Sequence, residues 1–117
     1  MLTYITYQLE IMLKTPTRLT IGRLGVFDFP EVRYVYTGSA LRNIDARIAR
    51  HLRSEKKLKW HIDYLLASPA ASIIKVMQLT LSECQVNQRT QGEILIAGFG
   101  SSDCRKHFVS HLKYLGK

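Results

Sequence analysis

The first clear pattern in the chain is a strict alternation of apolar and mostly polar side chains over residues 5–13. The odd positions carry Ile, Tyr, Leu, Ile and Leu, and the positions between them carry mainly polar residues. A period of two is typical of a β-strand with one apolar face, and it places Tyr7 on that face. Strands are also predicted over residues 33–37, where Tyr34 and Tyr36 share one face, over the β-branched and apolar residues 73–81, and over the apolar residues 94–100. Residues 19–29 predict a short strand with a turn.

Helical spacing replaces the alternation in residues 41–53. Leu41, Ile44, Ile48 and Leu52 recur there at intervals of three and four, which predicts an amphipathic helix whose apolar stripe packs on the sheet. Further helices are predicted over residues 61–66, over residues 83–90, and from the capping cluster at 101–103 to about residue 115. The order of elements indicates an α/β or α+β fold with a small, mostly antiparallel sheet.

The length and composition of the chain predict one cytoplasmic domain over residues 1–117. The chain shows no internal repeat and no interdomain linker. It has no apolar run long enough to span a membrane, and its first residues lack the pattern of a secretory signal. We therefore expect Cys84 and Cys104 to be reduced thiols rather than a disulfide.

The charge of the chain favours a polyanionic partner. The net charge is +8, from 17 Lys and Arg against 9 Asp and Glu, and the excess is concentrated in residues 42–59. Nucleic acid is the first candidate, and a charge that only keeps the protein in solution is the alternative. The predicted nucleic-acid contacts are Arg42, Arg50, Arg53, Lys56, Lys57, Lys59 and His61.

The predicted helix carries a polar stripe that suits phosphodiester chemistry. Asn43, Arg47 and His51 are spaced by four residues, and the helix begins directly after the strand that contains Tyr36. The transition state of phosphodiester cleavage carries excess negative charge, to which a fixed guanidinium offers two parallel donors. A Tyr or His nearby can take the proton from the attacking water.

The spacing of these residues resembles a known nuclease signature. Tyr36-Thr37-Gly38 is followed nine residues later by Arg47 and four residues after that by His51, which is similar to the second half of the GIY-YIG signature. The wider pattern resembles the Uri-type endonucleases of that superfamily, through residues 22–25, 34–40, 47–52, 60–65, 83–84 and 99–104. The resemblance implies a metal-dependent DNA endonuclease with a three-stranded antiparallel sheet flanked by helices.

The resemblance also implies roles for individual residues. Tyr36, Arg47 and His51 match the catalytic Tyr, Arg and His of the second half of the signature, and Glu83 matches the ligand of Mg²⁺ or Mn²⁺. Tyr7 is the nearest match to the Tyr of the first motif, whose glycine has no counterpart here. A candidate for the late Asn of the family is Asn87. The implied context is DNA repair, recombination or foreign-DNA handling, with other DNA-repair proteins as candidate partners.

Each of these residues also has a structural interpretation. Tyr7 and Tyr36 suit the edge of a core, Arg47 suits a surface cation, and His51 suits a packed or capping residue. Glu83 suits a solvated position in the first turn of a helix. For residues 60–63 there are three interpretations: they contact DNA, they support the catalytic side chains by contact, or they pack in the core.

Other functions fit the same sequence. A zinc site with Cys84, Cys104, His107 and His111 as its four ligands is one alternative, although the tight Cys-x-x-Cys pair of many structural zinc sites is missing. The same scaffold without catalysis would be a nucleic-acid-binding module, and the missing first-motif glycine favours that alternative. A small adaptor that binds an acidic protein through its basic face is the third possibility.

Overall fold

The computed structural model of this chain describes residues 3–40, 42–53, 56–96, 99 and 110–116. The fold is α+β with a mostly antiparallel sheet, as the sequence predicts. Among the described residues, no helix is long and apolar enough to cross a membrane. The elements in chain order are β1 (Thr6–Leu13), β2 (Thr17–Ile21), β3 (Gly25–Phe29), β4 (Val32–Ser39), α1 (Ile44–Leu52), α2 (His61–Leu66), β5 (Ala71–Leu79), α3 (Glu83–Arg89) and β6 (Leu112–Gly116).

The main sheet has four strands in the order β5-β1-β4-β6, and β2 and β3 form a separate hairpin. The sheet is therefore larger than the three strands that the resemblance implies. All of its strand pairs are antiparallel. In the central pair β1 and β4, Tyr7 lies opposite Gly38 and Leu9 lies opposite Tyr36. This register brings the aromatic residues of both strands to one face of the sheet.

The apolar face of β1 forms the centre of the core. Tyr7, Leu9, Ile11 and Leu13 are all buried, as the period-two pattern predicts. Burying one such side chain contributes about 1.5–3 kcal/mol, so this strand alone accounts for much of the stability. The same cluster includes Tyr34, Tyr36, Ile48, Ile62 and Leu65 from β4, α1 and α2.

The first half of the opposite face of β1 is also buried, although its residues Thr6 and Gln8 are polar. The Gln8 amide donates to the hydroxyls of Thr37 and Thr90, and the Thr6 hydroxyl donates to the carbonyl of Leu81. The helix α3 contacts both β1 and β4 and brings Thr90 to this face. Each of these strand side chains therefore has a hydrogen-bond partner, as buried polar groups usually do.

Two features of α1 differ from the prediction. The helix begins at Ile44 rather than residue 41, after Asn43 in the left-handed conformation with φ of 55°. Leu52, predicted to lie on the apolar stripe, is 55% exposed, and His51 is buried in its place. Leu41 lies outside the described residues. The exchange follows from the hydrogen bond of His51, which gives a buried imidazole a partner.

The prediction was wrong near the carboxyl end of the chain. Residues 94–96 were expected to start a strand, but Glu93 makes only an isolated bridge to Tyr114 and Ile94 is exposed. The helix predicted to reach residue 115 is replaced over its last residues by β6, which pairs with β4. This pairing satisfies the outer edge of β4, which no local helix signal can anticipate. The capping cluster at 101–103 lies outside the described residues.

Candidate active site

The site is built around a close approach between Tyr7 and Gly38. A Cβ atom at residue 38 would lie 2.5 Å from Cζ and from the hydroxyl oxygen of Tyr7. Any side chain at this position would therefore collide with the phenol ring, which crosses the β4 backbone here. The close approach gives a physical reason for the glycine in Tyr36-Thr37-Gly38, and it points the Tyr7 hydroxyl toward α1.

Tyr7 meets His51 in the interior. The Tyr7 hydroxyl lies 2.6 Å from Nε2 of His51, and both side chains are 2% exposed. The pKa of His51 is lowered to about 4, chiefly by burial, with Asp63 opposing the shift and the cations of Lys56 and Arg50 adding to it. Burial raises the pKa of the Tyr7 hydroxyl above its usual range. At neutral pH the pair is a phenol facing a neutral imidazole.

Tyr36 completes an aromatic group around the imidazole. Its ring lies edge-on to His51, with centroids 6.1 Å apart, and edge-on to Phe99. Burial raises the pKa of Tyr36, so its hydroxyl stays protonated at neutral pH. Within the described part of the chain this hydroxyl makes no hydrogen bond, although the residue is only 7% exposed. It is therefore a donor available to a ligand.

Ser39 joins the basic and acidic sides of the site. Arg47 donates from Nη1 to the Ser39 carbonyl at 2.6 Å, and the Ser39 hydroxyl donates to Oε2 of Glu83 at 3.2 Å. The other oxygen of Glu83 lies 3.1 Å from Nδ1 of His111. Glu83 is only 9% exposed, so it is not the solvated helix-start residue of the structural interpretation. Its charge contributes to the raised pKa of both Tyr7 and Tyr36.

Glu83 can serve as one ligand of a hard cation. Among the described residues each of its oxygens accepts one bond, and a carboxylate oxygen can accept a second. Mg²⁺ commonly uses one or two carboxylates and several waters, so a single carboxylate fits such a site. Among the described residues, no group of three or more His, Cys, Asp or Glu side chains is placed to hold a metal. For the predicted zinc site, Cys104, His107 and the side chain of Cys84 lie outside the described part.

The structure separates the predicted nucleic-acid contacts into two groups. Arg50 is paired with Asp63 and donates to the Lys57 carbonyl, and Lys56 donates to the carbonyls of His51 and Arg53. These two cations are engaged in hydrogen bonds within the protein, so they are less available to DNA. His61 is half-buried and stacks near Phe99 with ring centroids 5.5 Å apart. The exposed cations of the set are Arg42, Arg53, Lys57 and Lys59.

Sequence reasoning did not identify the contacts of Ser39 and His111 with Glu83, and it named Asn87 only as a candidate for the late Asn of the resemblance. Ser39 follows the motif glycine directly, and this position was the available signal for it. No local signal links His111 to Glu83, because 28 residues separate them. Asn87 lies one turn after Glu83 on α3 and donates to the Ser110 carbonyl, which places it beside the site. Its Oδ1 atom is buried and has no partner among the described residues.

Comparison with known families finds one family whose match covers almost the whole chain. The family described as "Domain of unknown function DUF123" matches residues 6–117, and the chain belongs to this family. No curated protein and no solved structure matches the chain significantly. The matched range includes Tyr7, Tyr36, Arg47, His51 and Glu83.

Proposed function

We propose that this member of the DUF123 family is a metal-dependent DNA endonuclease of the GIY-YIG type, similar to the Uri-type branch. The observation that carries the proposal is the convergence of residues from four elements. Tyr7 and Tyr36 surround His51, and the Ser39 backbone and hydroxyl join Arg47 to Glu83. Their sequence positions match the nuclease pattern, and the fold places them together. DNA repair, recombination or foreign-DNA handling is the proposed cellular context.

In the proposed mechanism the proton of the attacking water leaves through Tyr7 and His51. The water transfers its proton to the Tyr7 oxygen while the phenol proton passes to Nε2 of His51, 2.6 Å away. A neutral imidazole is required to accept it, and the low pKa of His51 keeps that form at neutral pH. The negative charge of a bound phosphate offsets the cost of the imidazolium in this buried position.

The other residues stabilise charge on the phosphate. The Arg47 guanidinium has donors beyond the one bound to the Ser39 carbonyl, and these can bind a phosphate oxygen. The Tyr36 hydroxyl supplies a neutral donor. Glu83 would hold Mg²⁺ or Mn²⁺, which when bound supplies positive charge next to the phosphate and the leaving oxygen. The exposed Arg42, Arg53, Lys57 and Lys59 are the proposed contacts to the DNA backbone.

A nucleic-acid-binding module without catalysis is the second candidate. The observation in its favour is burial, because Tyr7, Tyr36 and His51 are exposed by only 2%, 7% and 2%. A scissile phosphate must reach these side chains before they can act on it. The missing glycine of the first motif points in the same direction. Under this alternative the exposed cations bind DNA and the buried cluster only packs.

A cleavage assay separates these two candidates. Labelled single-stranded, duplex and flap DNA would be incubated with the protein in Mg²⁺, Mn²⁺ or EDTA. We expect metal-dependent cutting that falls by about 10²-fold or more in Arg47→Ala, because a fixed donor to the transition state is lost. Glu83→Gln should remove the metal response with little change in shape. Arg89→Ala, which alters an exposed cation on α3, is the matched control and should cut normally.

Three results of that assay would each contradict a part of the proposal. DNA binding without cutting under every condition would replace the nuclease with the binding module. Cutting by folded Arg47→Ala at the wild-type rate would remove Arg47 from the mechanism. Cutting in EDTA at the wild-type rate would remove the metal and the role assigned to Glu83.

A further inference from the structure

Trp60, the single tryptophan of the chain, lies against two residues of the proposed site. The Cζ atom of Arg47 is 4.9 Å from the centroid of its ring, and the His51 ring centroid is 5.6 Å away. Arg50 is closer still, at 4.3 Å, and the Nζ atom of Lys59 is 5.3 Å away. Cations at such distances from an indole are attracted by its π-electrons. The ring is thus surrounded by the protein's own cations.

Asp63 fixes the backbone of Trp60. Its carboxylate is fully buried and accepts hydrogen bonds from the backbone amides of Lys59 and Trp60, both at 2.9 Å. The same carboxylate binds Arg50 through two bonds of 3.0 and 3.1 Å. One buried acid therefore sets both the backbone of Trp60 and the guanidinium that lies beside its ring. Burial alone would raise the pKa of Asp63, but these hydrogen bonds outweigh it and lower the pKa.

The arrangement also offsets the repulsion between two like charges on α1. Arg47 and Arg50 are three residues apart on one helix face, where two cations repel each other. Asp63 neutralises Arg50, and the indole ring attracts both guanidinium groups. Arg47 is therefore held against the Ser39 carbonyl without an acidic partner of its own among the described residues. Its positive charge remains available for a phosphate.

We propose that Trp60 is a positioning residue, which holds the Arg47 guanidinium and the His51 imidazole in place and is itself fixed by Asp63. The catalytic consequence rests on the proposed endonuclease function, whereas the positioning itself is a property of the folded chain. The role differs from base stacking, because a ring already surrounded by three cations and an imidazole has little free surface for a base. It also gives the segment 59–63 a task beyond packing in the core.

The kinetic test compares Trp60→Leu with the conservative Trp60→Phe. Trp60→Leu should lower kcat by about 10-fold to 10²-fold with little change in KM for DNA, since misplaced catalytic groups are costly. Trp60→Phe keeps an aromatic face and should retain most of the rate. In an Arg47→Ala background, Trp60→Leu should cause a smaller loss than in the wild type, because the part of its effect that acts through Arg47 is already gone. Leu58→Ala, at an exposed apolar position nearby, is the control for truncation.

A second readout does not depend on cleavage. NMR would follow the Nε–Hε group of Arg47 and the titration of the His51 ring in the wild type and both variants. Trp60→Leu should make the Arg47 guanidinium more mobile and raise the pKa of His51, because water then reaches the ring. Trp60→Phe should leave both signals close to those of the wild type. Urea unfolding of each variant would check that the comparison is made between folded proteins.

The two readouts distinguish the proposals. A wild type that cuts no DNA, with an Arg47 signal that loosens in Trp60→Leu, would keep the positioning role and remove the nuclease. A wild type that cuts DNA, with unchanged Arg47 and His51 signals in folded Trp60→Leu, would overturn the positioning role. A raised KM at unchanged kcat, or losses that multiply with Arg47→Ala, would also overturn it and make Trp60 a DNA contact.

Discussion

The two faces of the β1–β4 pair are both buried but use their polar groups differently. On the structural face, beneath α3, the side chains of Thr6, Gln8 and Thr37 all take part in hydrogen bonds within the protein. On the site face, beneath α1, the Tyr36 hydroxyl has no hydrogen-bond partner in the described part of the chain. The buried Nδ1 atom of His51 also lacks one there. The three polar strand side chains of the structural face are therefore all paired, whereas the site face carries two polar groups without a partner in that part of the chain.

The difference indicates that the polar strand side chains of the structural face serve stability alone. Leaving a buried polar group unpaired costs about 1–3 kcal/mol, so such groups are rare where nothing but folding is at stake. The two such atoms among the described residues are Nδ1 of His51, one turn from Arg47 on α1, and Oδ1 of Asn87, one turn from Glu83 on α3. Unpaired atoms at these two positions are what a site awaiting a ligand would show. Removing the unpaired polar groups of the site face should therefore change activity more than stability, and removing the paired polar groups of the structural face should do the reverse.

The largest expected effect comes from Tyr36→Phe. Loss of this donor should lower the cleavage rate by about 10²-fold or more. The stability should hardly change, because the hydroxyl has no partner to lose. Tyr34→Phe is the matched control on the same strand, where the hydroxyl donates to the Pro30 carbonyl. It should cost about 1 kcal/mol of unfolding free energy and leave cleavage intact.

Measured rates and urea unfolding curves of these two variants would test the contrast directly. The site-face interpretation fails if Tyr36→Phe cuts like the wild type, or if it loses more stability than Tyr34→Phe.

A second effect concerns pH, because the site face contains a titratable pair and the three strand residues of the structural face do not titrate. Burial lowers the pKa of His51 to about 4 from an ordinary value of 6.5, so the unfolded chain binds more protons between these values. The contribution of His51 to the free energy of unfolding is complete above pH 6.5 and is lost as the pH falls toward 4. The loss amounts to at most about 3 kcal/mol.

Urea unfolding of the wild type and His51→Gln between pH 7 and pH 4 would measure this contribution. The variant should show a clearly flatter pH dependence over that range. Burial lowers the pKa of the half-buried His61 in the same direction, so His61→Gln is the control and should flatten the curve less. Identical curves for the wild type and His51→Gln would contradict the assigned burial of a neutral imidazole.

The central strands, and the closeness of the candidate site residues to one another, were predictable because their signals are local or belong to a motif. Period two gave β1 its correct face, and the nuclease resemblance selected Tyr36, Arg47 and His51, which the fold brings together. The hydrogen bond between Tyr7 and His51 joins residues 44 apart in sequence. No periodicity contains that information, and the helix pattern accordingly placed Leu52 inside and His51 in a polar stripe.

Predictions failed where a distant strand decided the local structure. β6 lies where a helix was expected, because the edge of β4 offers backbone partners to residues 112–116. The partner of Glu83 was missed for the same reason, since His111 directly precedes that strand. The polar side of β1 was correctly assigned to one face. Its burial was not foreseen, because α3 and Thr90 reach it from the far end of the chain.

The smallest expected change, and the closest test of the structural face, is Gln8→Leu. Gln8 is 7% exposed and donates to the hydroxyls of Thr37 and Thr90, so its loss removes the bond that links β4 to the end of α3. Unfolding free energy should fall by about 1–3 kcal/mol, and cleavage at a temperature where the variant is folded should be unchanged. Gln78→Leu, which removes an exposed amide, should cost less than about 0.5 kcal/mol. A folded Gln8→Leu that loses activity would show that the two faces are coupled, since Thr6, on the same face, lies opposite Ser39, which joins Arg47 to Glu83.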